Sequence, residues 1–303
     1  MIIKQIIFIF IILINYSPLQ AKTGCGQKGV WLQVLGSGGP ELDDGRASSG
    51  YLIWQDGKAR VLVDMGAGSL FNFEQSGASL NDLHVILMSH FHADHSNDLP
   101  ALVKASFFSD RQVDLPFYGP TGNQLMPSAT EFVQSLFGKV GTFHYLSSYI
   151  DGTDSYRLMP QDINAVGKAM LNVMSKPPYN ITAVPVHHGP IPALAWRVEV
   201  GGKSLVFSGD MNNDNDTLSR LAQQSDILIA HHAIPEDAGK VARNLHMPPS
   251  VIGEIADKAG VKQLILSHRM NRTLGQEQTS TELIRLSYKE QLHFADDLQC
   301  FRP

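Results

Sequence analysis

Along most of the chain, short apolar runs alternate with stretches in which apolar residues recur every three or four positions. Trp31 to Leu35, Tyr51 to Trp54 and Ala59 to Val63 read as strands, the last two joined by the hairpin-like Gln55-Asp56-Gly57-Lys58. Val85 to Met88 is a continuous apolar run, the pattern of a strand buried on both faces. The spacing predicts a helix over Leu99 to Phe108, a strand around Phe117 and a helix over Ala129 to Phe137. Strands resume at Ile181 to Val186, Ala195 to Val200, Ser204 to Ser208 and Ile227 to Ala230. A helix over Pro249 to Ala259, a strand over Gln263 to Leu266 and a helix over Thr281 to Glu290 complete the series. Residues 138–180 show weak periodicity and read as a substrate-facing insertion, either a lid or a dimer contact. No internal repeat and no domain-dividing linker is evident. Strands in both halves with helices outside them predict an α/β (α+β) class, two mixed β-sheets covered by helices.

The amino-terminal stretch has a different pattern. Lys4 precedes the apolar run Ile6 to Ile14, which Ser17 and Pro18 break before the small residue Ala21. That is the layout of a secretory signal peptide over residues 1–21, leaving residues 22–303 as one domain, periplasmic or secreted. The run is shorter than the ~20 residues of a membrane span, so an uncleaved anchor is the weaker reading and no membrane contact is expected after cleavage. Export also changes the reading of Cys25 and Cys300. An oxidising compartment favours joining them, the alternative being two buried thiols.

Composition narrows the function classes. With 43% apolar and 17% charged residues the chain can bury a full core, which excludes disordered, collagen-like and coiled-coil classes. A formal charge of −5 lacks the electrostatic footprint of a general nucleic-acid binder. Twelve histidines stand out, and with only two cysteines any metal site must use imidazole and carboxylate.

The chemistry concentrates in Ser89-His90-Phe91-His92-Ala93-Asp94-His95, directly after the buried strand at Val85. Residues two apart in extended chain point the same way, so His90 and His92 can reach one cation, and the following turn brings Asp94 and His95 to a second position nearby. These donors suit Zn, Mn or Fe. The His-x-His-x-Asp-His pattern resembles that of the metallo-β-lactamase fold superfamily, and the resemblance extends over nearly all of residues 22–303. It implies an αββα sandwich with metals at one edge of the sheets. It carries over Asp64 as a support behind the site, His188 as the third ligand of the first metal, Asp210 as the bridging carboxylate and His268 as the last ligand of the second. Each of the last three follows a predicted strand. His187 competes with His188; strand alternation and the adjoining Gly189-Pro190 favour His188.

Three segments, Leu35 to Pro40, His188 to Arg197 and Asn244 to Met247, are similar to the ribonuclease Z and arylsulfatase-like branch. That branch implies a role for His246 near the scissile ester or leaving group. The chain departs from it at His231-His232-Ala233, where the ribonuclease pattern has His-Glu-Ala, and it lacks a basic, glycine-rich arm for transfer RNA. The reading is therefore an exported hydrolase with two divalent ions, zinc foremost, acting on a phosphodiester or sulfate ester of a small molecule. A metal-bridging hydroxide would attack, with Asp94 orienting it and His246 as general acid. The alternatives are a lactonase or β-lactamase-type carbonyl hydrolase and a mononuclear non-haem iron oxidoreductase of the same fold. No general nucleic-acid binding is expected, and a homodimer is an open expectation.

Overall fold

The computed structural model describes residues 25–303, so the signal-peptide reading over residues 1–21 lies outside the described residues. The first sheet is built from β1 (Val30–Gly36), β2 (Gly50–Gln55), β3 (Lys58–Met65), β4 (Val85–Leu87), β5 (Leu115–Pro120) and β6 (Leu158–Ile163). The second holds β7 (Leu171–Lys176), β8 (Tyr179–His188), β9 (Ile191–Val200), β10 (Lys203–Phe207), β11 (Ile227–His231), β12 (Gln263–Ser267) and β13 (Gln291–Phe294). The chain then returns as β14 (Cys300–Phe301) beside β1. Strand order is β14-β1-β2-β3-β4-β5-β6 in one sheet and β13-β12-β11-β10-β9-β8-β7 in the other. Both sheets follow one pairing scheme, three antiparallel contacts from β14 or β7 inward and then three parallel ones. This is the mixed two-sheet architecture expected.

Alternation along the strands creates the layers. In β2 and β3, Tyr51, Ile53, Val61 and Val63 face the other sheet, while Leu52, Trp54 and Leu62 face outward. In β10 and β11, Leu205, Phe207, Ile227 and Ile229 face inward and Val206, Leu228 and Ala230 outward. One core therefore lies between the sheets, and a helix layer closes each outer face. Phe73, Leu102, Val133 and Phe137 cover the first, and Leu221, Ile252, Ile255 and Ile284 the second. A full strand-face side chain buried this way contributes about 1.5–3 kcal/mol, which is why both faces of nearly every central strand are apolar.

Helices Ala129–Phe137 and Pro249–Ala259 have the bounds their sequences predict. Ser128 and Glu131 form a reciprocal capping box at the first, and Pro at the first turn with left-handed Gly260 (φ 63°) delimits the second. The last helix instead spans Glu277–Ile284, because Arg285 turns to donate to the carbonyls of Tyr288 and Glu290 and leads the chain into β13. Residues 138–180 do not form a separate insertion: they supply β6 and β7, the edge strands of the two sheets. Edge strands bury little, and Gln161, Asp162, Asn172 and Ser175 point to solvent, so no alternation marks them in the sequence.

A disulfide joins Cys25 to Cys300 across a separation of 275 residues. The parallel strands β3, β4, β10, β11 and β12 all end at the same edge of the sandwich, as does β8, and their carboxyl ends carry the histidines and aspartates singled out above.

Candidate metal centre

The loop after β4 runs from Ser89 through the short helix Ala93–Ser96, and its shape is set by Asp64 at the end of β3. The buried Asp64 carboxylate accepts from the Ser89 backbone N–H (2.7 Å), the Ser89 hydroxyl (2.7 Å) and His95 Nδ1 (2.9 Å). Asp64 takes up a left-handed conformation (φ 53°), as does His268 (φ 53°) just past β12 in the other sheet, a strained geometry that neighbouring structure must hold. Two glycines permit the close approach. A Cβ on Gly66 would lie 2.0 Å from the Asp94 carbonyl oxygen, and one on left-handed Gly209 (φ 58°) 2.9 Å from the Ser89 Cβ.

Two donor groups result, one of His90, His92, His188 and Asp210, the other of His95, His231, His268 and Asp210, in each of which the donor atoms lie within 4.8 Å of one another. In the first, His90 Nε2 lies 3.0 Å from His92 Nδ1, which is 3.4 Å from His188 Nε2. Asp210 Oδ2 stands 4.0 Å from His90 Nε2 and 3.7 Å from His188 Nε2. In the second, Asp210 Oδ1 is 3.4 Å from His268 Nε2 and 2.7 Å from His231 Nδ1, and Oδ2 is 3.6 Å from His95 Nε2. Asp94 Oδ2 stands beside this group, 3.2 Å from His268 Nε2 and 3.5 Å from His95 Nε2. Of the two candidates at the end of β8, His188 enters the cluster. His187 lies on the other face with Nδ1 3.6 Å from Asp214, as the pleat requires.

These residues fit divalent cations. Donor separations of about 3.3–3.6 Å are the edges of a tetrahedron with bonds of 2.0–2.2 Å. The tautomers fit as well. His188 Nδ1 donates to the Leu245 carbonyl (2.9 Å) and His95 Nδ1 to Asp64, which turns the Nε2 lone pair of each toward Asp210. His95 Nε2 is buried with no hydrogen-bond partner among the described residues, aimed at two carboxylates. A lone pair so placed is stable only with a proton or a cation between.

The electrostatics divide the cluster. Burial holds His90 well below its ordinary value, with His95 and His188 adding to the effect. Burial lowers His188 too, partly offset by Asp210. It opposes charge on His95 and His268 as well, but the carboxylates of Asp94 and Asp210 outweigh it and raise both. The aspartates shift the other way: against burial, His268, His246 and His95 hold Asp210 far below the carboxylate range, and His95 and His268 hold Asp94 down.

His246 reaches the rim, with Nδ1 3.9 Å from Asp210 Oδ1 and without a hydrogen-bond partner among the described residues. Burial pushes it down to about 3 despite Asp210, so the resting imidazole is neutral. Where the ribonuclease pattern has a glutamate, His232 points away and pairs with the Ser280 hydroxyl at 3.0 Å. The residue that sequence reasoning passed over is His231. In the sequence it ends an apolar strand and fills the histidine of the His-Glu-Ala pattern without a role of its own, yet at 2.7 Å it makes a closer contact with Asp210 than the ligand histidines do.

The family described as the Beta-lactamase superfamily domain matches residues 59–269, which include every member of both donor groups. The ribonuclease Z of Mycolicibacterium gilvum (strain PYR-GCK) is 27% identical over 277 residues, covering 88% of this chain and 93% of that protein. The Bacillus subtilis metallo-beta-lactamase fold protein YhfI shares the fold at a TM-score of 0.69 and 22% identity, covering 91% of this chain and 100% of its own. Human tRNase Z, short form, does so at 0.68 and 18% identity, covering 90% of this chain and 98% of its own. With both donor groups inside the matched stretch and the two-sheet frame common to these structures, the chain belongs to the β-lactamase superfamily domain family.

Proposed function

We propose that the protein is an exported, dinuclear metal-dependent hydrolase of phosphodiester bonds in small molecules. The observation that carries this reading is Asp210, which presents Oδ2 to His90 and His188 of one donor group and Oδ1 to His268 of the other. Likeness to ribonuclease Z supports the phosphodiester class, and a net charge of −5 without a basic arm supports a small substrate over a polynucleotide. The Cys25–Cys300 disulfide supports export.

His90, His92 and His188 would hold one ion, His95, His268 and Asp94 the other, with Asp210 shared. Bound divalent ions supply Lewis acidity and bring the pKa of a bound water to about 7. Asp94, 3.2 Å from His268, would orient the attacking water and hold its proton. His246 would protonate the leaving oxygen. Neutral at rest, it gains affinity for a proton when an anionic ester enters beside it. A sulfate ester presents the same tetrahedral oxygens and is the companion substrate of this reading.

Metal analysis of purified protein followed by a panel of a phosphodiester, a phosphomonoester, a sulfate ester, a lactone and a β-lactam tests it. Two zinc or manganese equivalents, lost on Asp210→Ala together with diester hydrolysis, are expected. One iron equivalent without hydrolysis would replace the reading with the mononuclear oxidoreductase, and turnover of only the lactone or β-lactam would move it to carbonyl chemistry.

A further inference from the structure

We propose that Tyr51, on the opposite sheet, acts through His231 as a positioning residue for Asp210. The Tyr51 ring stands on the inner face of β2, fully buried, with its centroid 5.6 Å from that of Phe207. Its hydroxyl crosses the inter-sheet core to the far ends of β11 and β12, 3.0 Å from His231 Nε2 and 2.9 Å from Ser267 Oγ. His231 and Ser267 are register partners in the parallel pair, so one phenol ties both strand ends together. Ser267 immediately precedes His268, and His231 Nδ1 lies 2.7 Å from Asp210 Oδ1.

The proton order along this chain starts at the carboxylate. An ionised carboxylate accepts and never donates, so His231 must present Nδ1–H to Asp210. In the neutral ring Nε2 is then an acceptor, and the Tyr51 O–H, which otherwise donates to Ser267 Oγ, meets it when the phenol proton turns to His231 and the Ser267 hydroxyl donates to the phenol oxygen instead. Both ring nitrogens are thereby committed, and His231 offers no lone pair to a cation. Its contribution is orientation: with Oδ1 pinned, the Asp210 carboxylate keeps Oδ1 toward His268 and Oδ2 toward His90, His95 and His188. Without that bond the carboxylate is free to rotate between the two donor groups. Partners behind a ligand commonly change metal affinity 10–100-fold when removed.

The inference rests on Asp210 serving metal ions, and the test separates the two. Wild type, Tyr51→Phe, His231→Asn and His231→Leu are titrated with zinc against a chelating dye, and the zinc-free wild type and Tyr51→Phe proteins are compared by 15N-histidine NMR. Tyr51→Phe should retain its circular dichroism spectrum and bind two zinc ions at saturation, with one dissociation constant raised about 10–100-fold. In the zinc-free wild type His231 should be the Nδ1–H tautomer, and that preference should weaken in Tyr51→Phe. His231→Asn places an amide N–H where Nδ1 stood and should bind zinc more tightly than His231→Leu. A wild type that binds no zinc overturns the metal reading and this inference together. A wild type that binds two zinc ions no more tightly than Tyr51→Phe overturns the inference alone, as does loss of a whole zinc equivalent in His231→Asn, which would make His231 a ligand.

Discussion

Asp64→Asn tests how the site is organised from behind. The carboxylate accepts three hydrogen bonds, two from Ser89 and one from His95 Nδ1, in a position 1% exposed. The amide is nearly isosteric but replaces one acceptor oxygen with a donor. If the amide oxygen stays on the Ser89 N–H, the NH₂ faces His95 Nδ1, and two donors oppose each other. The imidazole relieves this by moving its proton to Nε2, the atom 3.5 Å from Asp94 and 3.6 Å from Asp210. The variant therefore folds, at the loss of about one charge-assisted hydrogen bond, about 1.5–3 kcal/mol. At about 2–4 °C per kcal/mol the zinc-free Tm should fall by roughly 3–12 °C. The larger effect is on metal binding, since Nε2–H cannot ligate. With zinc at 100 times the dissociation constant, a site stabilises the native state by about 2.7 kcal/mol. Weakened 100-fold, it contributes only about 0.4 kcal/mol at the same zinc concentration. Thermal melts with chelator and with zinc measure both quantities. An equal zinc-induced rise in Tm for wild type and variant would refute the tautomer argument, whatever the change in the zinc-free Tm.

Three further outcomes follow from the same geometry. His246→Ala should keep both metals and lose about 10²–10⁴-fold in turnover of a diester with a poor leaving group, but little with a nitrophenolate; equal loss on both would assign His246 to binding instead of acid catalysis. Because carboxylates raise His95 and His268, each keeps a proton below its folded value, and zinc must displace it. Zinc affinity should thus fall as pH drops through and below that raised range, and calorimetry in two buffers of different ionisation enthalpy should show proton release at pH 7; none would remove the coupling. In the metal-free protein the sign of the stability term is the reverse, since what these two raised imidazoles contribute is complete below about 6.5 and lost as pH rises through their folded values. Finally, Cys25→Ser with Cys300→Ser removes a link across 275 residues and should lower stability by about 2–5 kcal/mol in denaturant titration; an unchanged midpoint would mean the terminal strand is held by other contacts alone.

What consecutive residues encode was readable from the chain itself. Helix Ala129–Phe137 carries its own capping box, and Val85–Leu87 is apolar throughout because both of its faces are covered. His90, His92, Asp94 and His95 share one loop, so their spacing alone suggests metal chemistry. Strands β6 and β7 gave no such signal, since an edge strand buries too little to impose alternation. Strand alternation already favoured His188 over His187 in the sequence, and the structure adds the Leu245 carbonyl that holds its Nδ1. The parts of Tyr51 and His231 were invisible for a deeper reason. A phenol 180 positions away acquires meaning only when two sheets pack face to face and bring it 3.0 Å from an imidazole. Likewise His268 and Asp94 lie 174 positions apart and meet only because parallel strands of both sheets end at one edge. Local periodicity is set by which face each residue must bury, and that is written in the order of neighbours. Convergence of a site is set by how the layers stack, and only the assembled sandwich decides it.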